Sequence, residues 1–274
     1  MAILSTAILI VVLLASAELG WWVRRRMHER HITQDAIDSI RVMITMLLTF
    51  SALVLGLLVT DAKQRFDGLN DALGAYSTDL IELDHRLRMY GAEADGLRRE
   101  LRTYTAAAIA DSWPAEPVPP GDYPRFKNAG EGVENATLAV LLTRVDDGIE
   151  HLAPSDNFRQ QIAARLRQRM AETIQGRWRI VFSAGSRVSW PFLVILTSWL
   201  AIIFAIFGMS SPANRLIYAV VVLSAFSIAS PVYLIMDYSS ALTGLITLSS
   251  EPLRHALRHM DLPDEATPED TSER

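Results

Sequence analysis

Four runs of apolar residues, Ala2–Val23, Val42–Thr60, Ser189–Met209 and Leu216–Met236, contain no lysine or arginine and a single acid, Glu18. A helix in the core of a water-soluble domain shows a polar stripe every three to four residues, and these runs show none. Each is long enough to cross a hydrocarbon layer roughly 30 Å thick. The pattern predicts four transmembrane helices. The first run also admits another reading. Ala15-Ser16-Ala17 resembles a small-residue cleavage site behind the apolar region of a signal peptide. Against it, no basic residue precedes the run, and Trp21, Trp22 and Arg24 to Arg26 follow as interfacial anchors would.

Between the second and third spans lies a polar region, 61–188, too long for a loop. Its first half repeats apolar residues in steps of three and four: Phe66, Leu69, Leu73, Tyr76, Leu80, Leu83, Leu87, Tyr90, Ala94, Leu97, Leu101 and Tyr104. That spacing predicts one apolar seam on a helix continuous with the second span, bent at Gly91 and Gly96 without losing register. The seam suits either an intramolecular hairpin core or an oligomer contact. Pro114 to Pro124 end the helix, and a Pro/Gly-rich loop runs through 114–134. Two more helices follow. The second begins at Pro154-Ser155-Asp156 with Ser155 as its N-cap. Phe158, Ile162, Leu166, Met170 and Ile174 line one face, and Arg159, Arg165, Arg167 and Arg169 cover the rest. An arginine-rich amphipathic helix can hold anionic headgroups, but the ordinary use of such a face is solvation.

No β-alternation is present. The expected class is all-α: a four-span transmembrane protein with a helical extramembrane domain inserted between spans two and three. The divisions are 1–60, 61–188, 189–236 and 237–274. The tail after Pro263 is acidic and rich in Pro, Thr and Ser, and is predicted to be disordered.

Composition removes several function classes. The mean hydropathy of +0.19 is high for a soluble chain of 274 residues. The absence of cysteine excludes disulfide scaffolds, thiolate metal sites and thiol catalysis. A net charge of −5 gives no footprint for nucleic acid. No phosphate loop, nucleophile elbow, cofactor motif or paired catalytic set occurs, so no enzyme is expected. His255 and His259 stand at i, i+4 on a short helix begun at Pro252, which is half a metal site with no third ligand nearby. His28 and His31 lie among arginines in a loop. Glu18 is the one ionisable group inside a span, where charge marks an ion path or snorkels to the interface.

Charge also bears on orientation. Arg24, Arg25, Arg26, Arg30 and Arg41 crowd the first loop, and nothing basic precedes the first span. The positive-inside rule then places the N-terminus outside a bacterial inner membrane. Lys63, Arg65, Arg169, Arg177, Arg179 and Arg187 flank the opposite side almost as heavily.

Three stretches carry a family resemblance: Phe50 to Asp67 (FSALVLGLLVTDAKQRFD), Leu83 to Ala94 (LDHRLRMYGAEA) and Leu242 to Leu253 (LTGLITLSSEPL). They resemble a bacterial family of membrane proteins described as bestrophin-like, over most of the chain. Ser240-Ala241 stand where that family usually has Pro-Phe. The resemblance extends more distantly to bestrophin anion channels, pentamers with four spans per subunit. It implies that the second span lines a pore, with Phe50, Leu53, Val54 and Leu57 as candidate lining residues and Gly56 permitting close packing. Thr45 and Thr49, one turn apart, independently offer hydroxyls either to a wet path, which makes Thr49 a further lining candidate, or to a helix–helix contact. The resemblance implies chloride or another small anion as the permeating species, and a cytoplasmic N-terminus, opposite to the charge reading. The animal calcium-clasp acids have no clear counterpart.

Two functions of different class follow. One is a homo-oligomeric anion channel gated by a hydrophobic neck on the second span. The other is a membrane-anchored sensor or scaffold without a pore, whose helical middle region, with the seam Leu69, Leu73, Tyr76, Leu80, Leu83, Leu87 and Tyr90, serves partner binding.

Overall fold

The computed structural model describes residues 2–26, 34–124, 135–185, 190–212, 214–239, 244 and 246–262. Among them the regular elements are all helical: α1 (Ala2–Arg26), α2 (Gln34–Tyr90), a 3-10 turn (Ala92–Ala94), α3 (Asp95–Ser112), α4 (Ala136–Glu150), α5 (Asn157–Gly185), α6 (Trp190–Ser210), α7 (Arg215–Tyr238) and α8 (Glu251–Met260). The chain divides into two compact units, residues 1–67 with 186–247 and residues 68–185 with 248–274. His28, His31, the 125–134 part of the predicted loop, Ser240-Ala241 and the tail beyond Leu262 lie outside the described residues.

The first unit holds the four helices long and apolar enough to cross a membrane. Lipid is as apolar as leucine, so such helices associate through close packing rather than through the hydrophobic effect. The tightest approach is between α1 and α6. A Cβ added at Gly20 would strike the Ala205 carbonyl, and one added at Gly208 would strike the Ala17 carbonyl. Ala17 and Gly20 on one helix thus oppose Ala205 and Gly208 on the other, backbone against backbone. The small residues that resemble a cleavage site therefore have a structural use: Ala17 is 1% exposed at the crossing. Around it, Leu13, Leu200, Phe204, Ala225, Ala229 and Ile235 form the centre of one apolar cluster, joined by Leu58 and Ala62 of α2. Arg24 donates to the Met209 carbonyl at 3.4 Å, where the C-terminal end of α6 favours a cation.

The second unit is built on a reversal at Gly91. Its φ of 106° and ψ of −170° belong to a region open essentially to glycine. The helix stops at Tyr90 and α3 runs back along it. Tyr76 and Tyr104 join hydroxyls at 2.6 Å, and Asp84 meets Arg98 at 3.2 Å, pairs nearly equidistant from Gly91. The expected rod reaching Tyr104 is thus a hairpin. Leu69, Leu73, Tyr76, Leu80, Leu83, Leu87 and Tyr90 are all buried inside the chain.

Helix α4 starts at Asn135, whose side chain accepts from the Thr137 amide at 2.9 Å. It packs on α3 at Gly148, where an added Cβ would strike Leu97. Helix α5 starts one residue later than expected. Asp156, not Ser155, accepts the Arg159 amide, at 2.7 Å, while the Ser155 hydroxyl meets the Arg159 guanidinium. Phe158 is 61% exposed, although Ile162, Leu166 and Met170 are buried. The reason is helical pitch. A strict four-residue row drifts about 40° per step around an α-helix, so its ends roll off the packed face. Arg159, Arg167 and Arg169 pair with Glu93, Glu150 and Asp79, respectively, at 2.7–3.2 Å.

Two glycine substitutions separate these packing demands from a third, permissive position. Gly208→Ala should destabilise the protein in detergent by about 1–3 kcal/mol through overpacking. Gly91→Ala should cost about 1–3 kcal/mol through its backbone conformation. At Gly56 an added Cβ would meet nothing of its own chain within 4 Å, so alanine should be accepted there without loss. Thermal melts of the three purified variants measure the difference.

Candidate functional site

The apolar part of α2 uses only one of its faces within the chain. Ser51, Leu58 and Ala62 are buried, and Ile44, Leu47, Val54, Leu55 and Val59 pack partly against the first unit's core. Most of the remaining surface carries two stripes, with Val42 and Leu48 exposed outside the large one. The first is large and apolar: Met43, Met46, Phe50, Leu53 and Leu57, with Phe50, Leu53 and Leu57 between 59% and 63% exposed. At 100° per residue these five fall within a sector of about 80°. The second stripe is small or hydroxylated: Thr45, Thr49, Ala52, Gly56 and Thr60, all exposed. Its three hydroxyls donate back to their own helix, Thr45 to Arg41, Thr49 to Thr45 and Thr60 to Gly56, at 2.8–2.9 Å. A hydroxyl satisfied in this way adds no desolvation penalty when the face is covered.

The lining residues expected from the sequence thus separate. Phe50, Leu53 and Leu57 share the large stripe, Thr49 belongs to the small one, and Val54 borders the packed face. The small stripe has a signal in the sequence, residue size at steps of three and four. Hydropathy misses it, because hydropathy does not distinguish Gly, Ala and Thr from the rest of a span.

Below the apolar part, Arg65 pairs with Asp61 at 3.0 Å and Lys63 with Asp67 at 2.8 Å. Phe66 packs on Tyr238, ring centroids 5.2 Å apart. Asp237 is buried at the end of α7 and accepts the Ile246 amide at 2.8 Å. An added Cβ at Gly244 would come within 2.7 Å of its carboxylate, which accounts for the glycine of the third motif. Glu18 is exposed on α1 and has no ion-pair partner among the described residues. It shares a shallow groove with Trp22 and Arg25.

In the second unit the motif residues act on structure. Asp84, 1% exposed, bridges Arg88 at 3.1 Å and Arg98 at 3.2 Å. The far nitrogen of Arg88 reaches the carbonyls of His259, Met260 and Leu262 at 3.0–3.3 Å, capping the C-terminal end of α8. At the other end of α8, Glu116 accepts from the Ser250 hydroxyl and from Arg254, and Trp113 donates to the Leu248 carbonyl at 2.7 Å. Partial burial works to raise the Glu116 carboxyl, but the hydrogen bonds from Ser250 and Arg254 outweigh it and hold the group below its ordinary value. His255 is exposed. Among the described residues no three ligating side chains gather for a metal.

These features define an all-helical membrane protein of four spanning helices with a helical hairpin unit continuous with the second. Residues 10–253 match the family model for the bestrophin-like domain, and the chain belongs to that family. Its fold is similar to crystal structures of a bacterial bestrophin homolog from Klebsiella pneumoniae. One, solved by zinc anomalous phasing, shares 16% identity at a TM-score of 0.59 over 94% of this chain and 96% of that one. A tryptophan-to-alanine variant of the same homolog shares 12% identity at a TM-score of 0.64, over 95% and 97%. A further crystal structure, described as a membrane protein, shares 14% at 0.60 over 93% and 97%. No curated protein matches the sequence.

The Glu116 contact yields a pH dependence. Because the folded value lies below the unfolded one, its contribution is complete above about pH 4.5 and is lost as pH falls through the folded value. Opening of Leu248–Met260, read as hydrogen exchange relative to the intrinsic rate at each pH, should rise on acidification in the wild type. In Glu116→Gln it should be raised already at neutral pH and respond less to acid.

Proposed function

We propose that the chain assembles into a homo-oligomeric anion channel of a bacterial inner membrane, with α2 lining a hydrophobic neck. The carrying observation is the large apolar stripe of α2, exposed on the flank of the face that packs in its own chain. A helix that served only as an anchor would have no need to sort its free surface by size. Here Phe50, Leu53 and Leu57 stand on one sector and Gly56, Ala52 and Thr49 on the adjoining one. Small residues let a neighbouring copy's α2 approach closely. The large ones then converge on the shared axis. Membership of the bestrophin-like family supports the same reading, as does the likeness in fold to the Klebsiella homolog.

The mechanism follows from the lining. A ring of Phe50, Leu53 and Leu57 offers no polar group to replace water, so a narrow neck empties and blocks ions. Val54 sits at its edge, and Thr49 supplies a hydroxyl at the seam between copies. Conduction requires the ring to widen until a hydrated anion passes. Truncating the side chains has the same effect without motion.

Chloride flux from liposomes containing the purified protein tests this reading. Phe50→Ala or Leu57→Ala should raise flux, by about tenfold for each 1.4 kcal/mol removed from the barrier. Gly56→Leu should lower the oligomeric state in detergent. Absence of flux from the wild type and both alanine variants would sink the channel and favour a scaffold whose middle region binds a partner.

A further inference from the structure

The outer face of α5 changes character along its length. Up to Glu172 three of its four arginines are matched by acids, Arg159 by Glu93, Arg167 by Glu150, and Arg169 by Asp79, Glu82 and Glu172, while Arg165 is exposed with no ion pair among the described residues. After Glu172 the sequence contains no acid until Asp237. The inner face stays packed, with Arg177 and Ile180 buried. The outer face instead presents Trp178 and Phe182, 47% and 72% exposed, stacked with centroids 5.7 Å apart. Arg179 lies exposed beside them, without an ion-pair partner among the described residues.

Only residues 186–189 separate the end of α5 from Trp190, the first residue of the spanning helix α6. Five residue steps reach at most about 17 Å. Phe182 and Trp178 stand three and seven residues before Gly185, so the chain itself limits them to within about 22 and 28 Å of Trp190, where α6 begins. Two exposed rings would be a poor surface toward water. Next to a membrane they match the interfacial preference of aromatic side chains, and an unmatched arginine beside them complements phosphate.

We infer that the last turns of α5 lie in the headgroup layer of the membrane, with Trp178 and Phe182 at the acyl boundary and Arg179 on the phosphates of anionic lipids. The contact gives the second unit its own hold on the bilayer, next to the covalent connection. It depends on α6 spanning the membrane and is independent of any conduction.

The test uses the full chain in phosphatidylcholine vesicles, with or without phosphatidylglycerol, carrying bromine either near the glycerol or near the chain end. The emission of Trp178 is obtained as the difference between wild type and Trp178→Phe. Quenching should be stronger from shallow than from deep bromines. Phosphatidylglycerol should increase it, and Arg179→Gln, an exposed substitution that leaves the core intact, should abolish that increase. Quenching by acrylamide alone would place the face in water and overturn the inference. Protection from both bromine and acrylamide would also overturn it and assign the face to a second copy of this chain. Equal melting temperatures of the variants exclude misfolding as the cause.

Discussion

In a lipid solvent a leucine gains little by leaving lipid for another leucine, and this limits how the first unit can hold together. Its helices need contact close enough for dispersion to accumulate, and the chain supplies this where Ala17 and Gly20 cross Ala205 and Gly208. Everything else in that unit follows from the crossing. With α1 and α6 joined at the backbone and α7 against α1, the cluster around Leu13 and Ala225 closes. Helix α2 adds Leu58 and Ala62 to the cluster and leaves most of its own surface uncovered. The candidate site is thus a remainder: the part of the surface of α2 that the close-packed group does not cover.

The second unit works by different rules, because it buries charge. Asp84 is enclosed between two guanidinium groups, and a buried carboxylate in that position is tolerable only while both remain. The same arginine that neutralises it also ends α8. Glu116 and Ser250 fix the beginning of α8, so the short helix is pinned at both ends by side chains from distant parts of the sequence. The three motifs that carry the family resemblance are in this sense of two kinds. Leu83 to Ala94 and the end of the third motif fold the unit, whereas Phe50, Leu53 and Leu57 of the first motif are exposed.

How much of this the sequence discloses depends on whether a feature is local. The four spans are legible because charge is absent over whole segments. The seam from Leu69 to Tyr90 is legible because its period is regular. The reversal is not, since a helix folded back at Gly91 presents the same steps of three and four on both arms, and periodicity is blind to direction. A four-residue row assigns Phe158 to the buried face, although the row winds slowly around the helix and carries its first member into the open. The candidate lining set rests mostly on resemblance, and the structure divides it between two faces of α2 in a way that hydropathy does not. The acid-free stretch after Glu172 is plain in the sequence, but its meaning requires knowing that Trp178 and Phe182 point outward while Ile180 does not.

The double duty of Arg88 has a consequence for biosynthesis. The hairpin of α2 and α3 is translated before the last two spans, and α8 only after them. Until α8 arrives, the contacts of Arg88, Trp113 and Glu116 with α8 and the residues just before it are unmade. The unit is discontinuous along the chain, so its final closure waits for synthesis of α6 and α7. A nascent chain halted in α7 would carry a hairpin with an open flank. Completion of this core therefore reports, from a distance of more than a hundred residues, that the chain has been made through its last two spans.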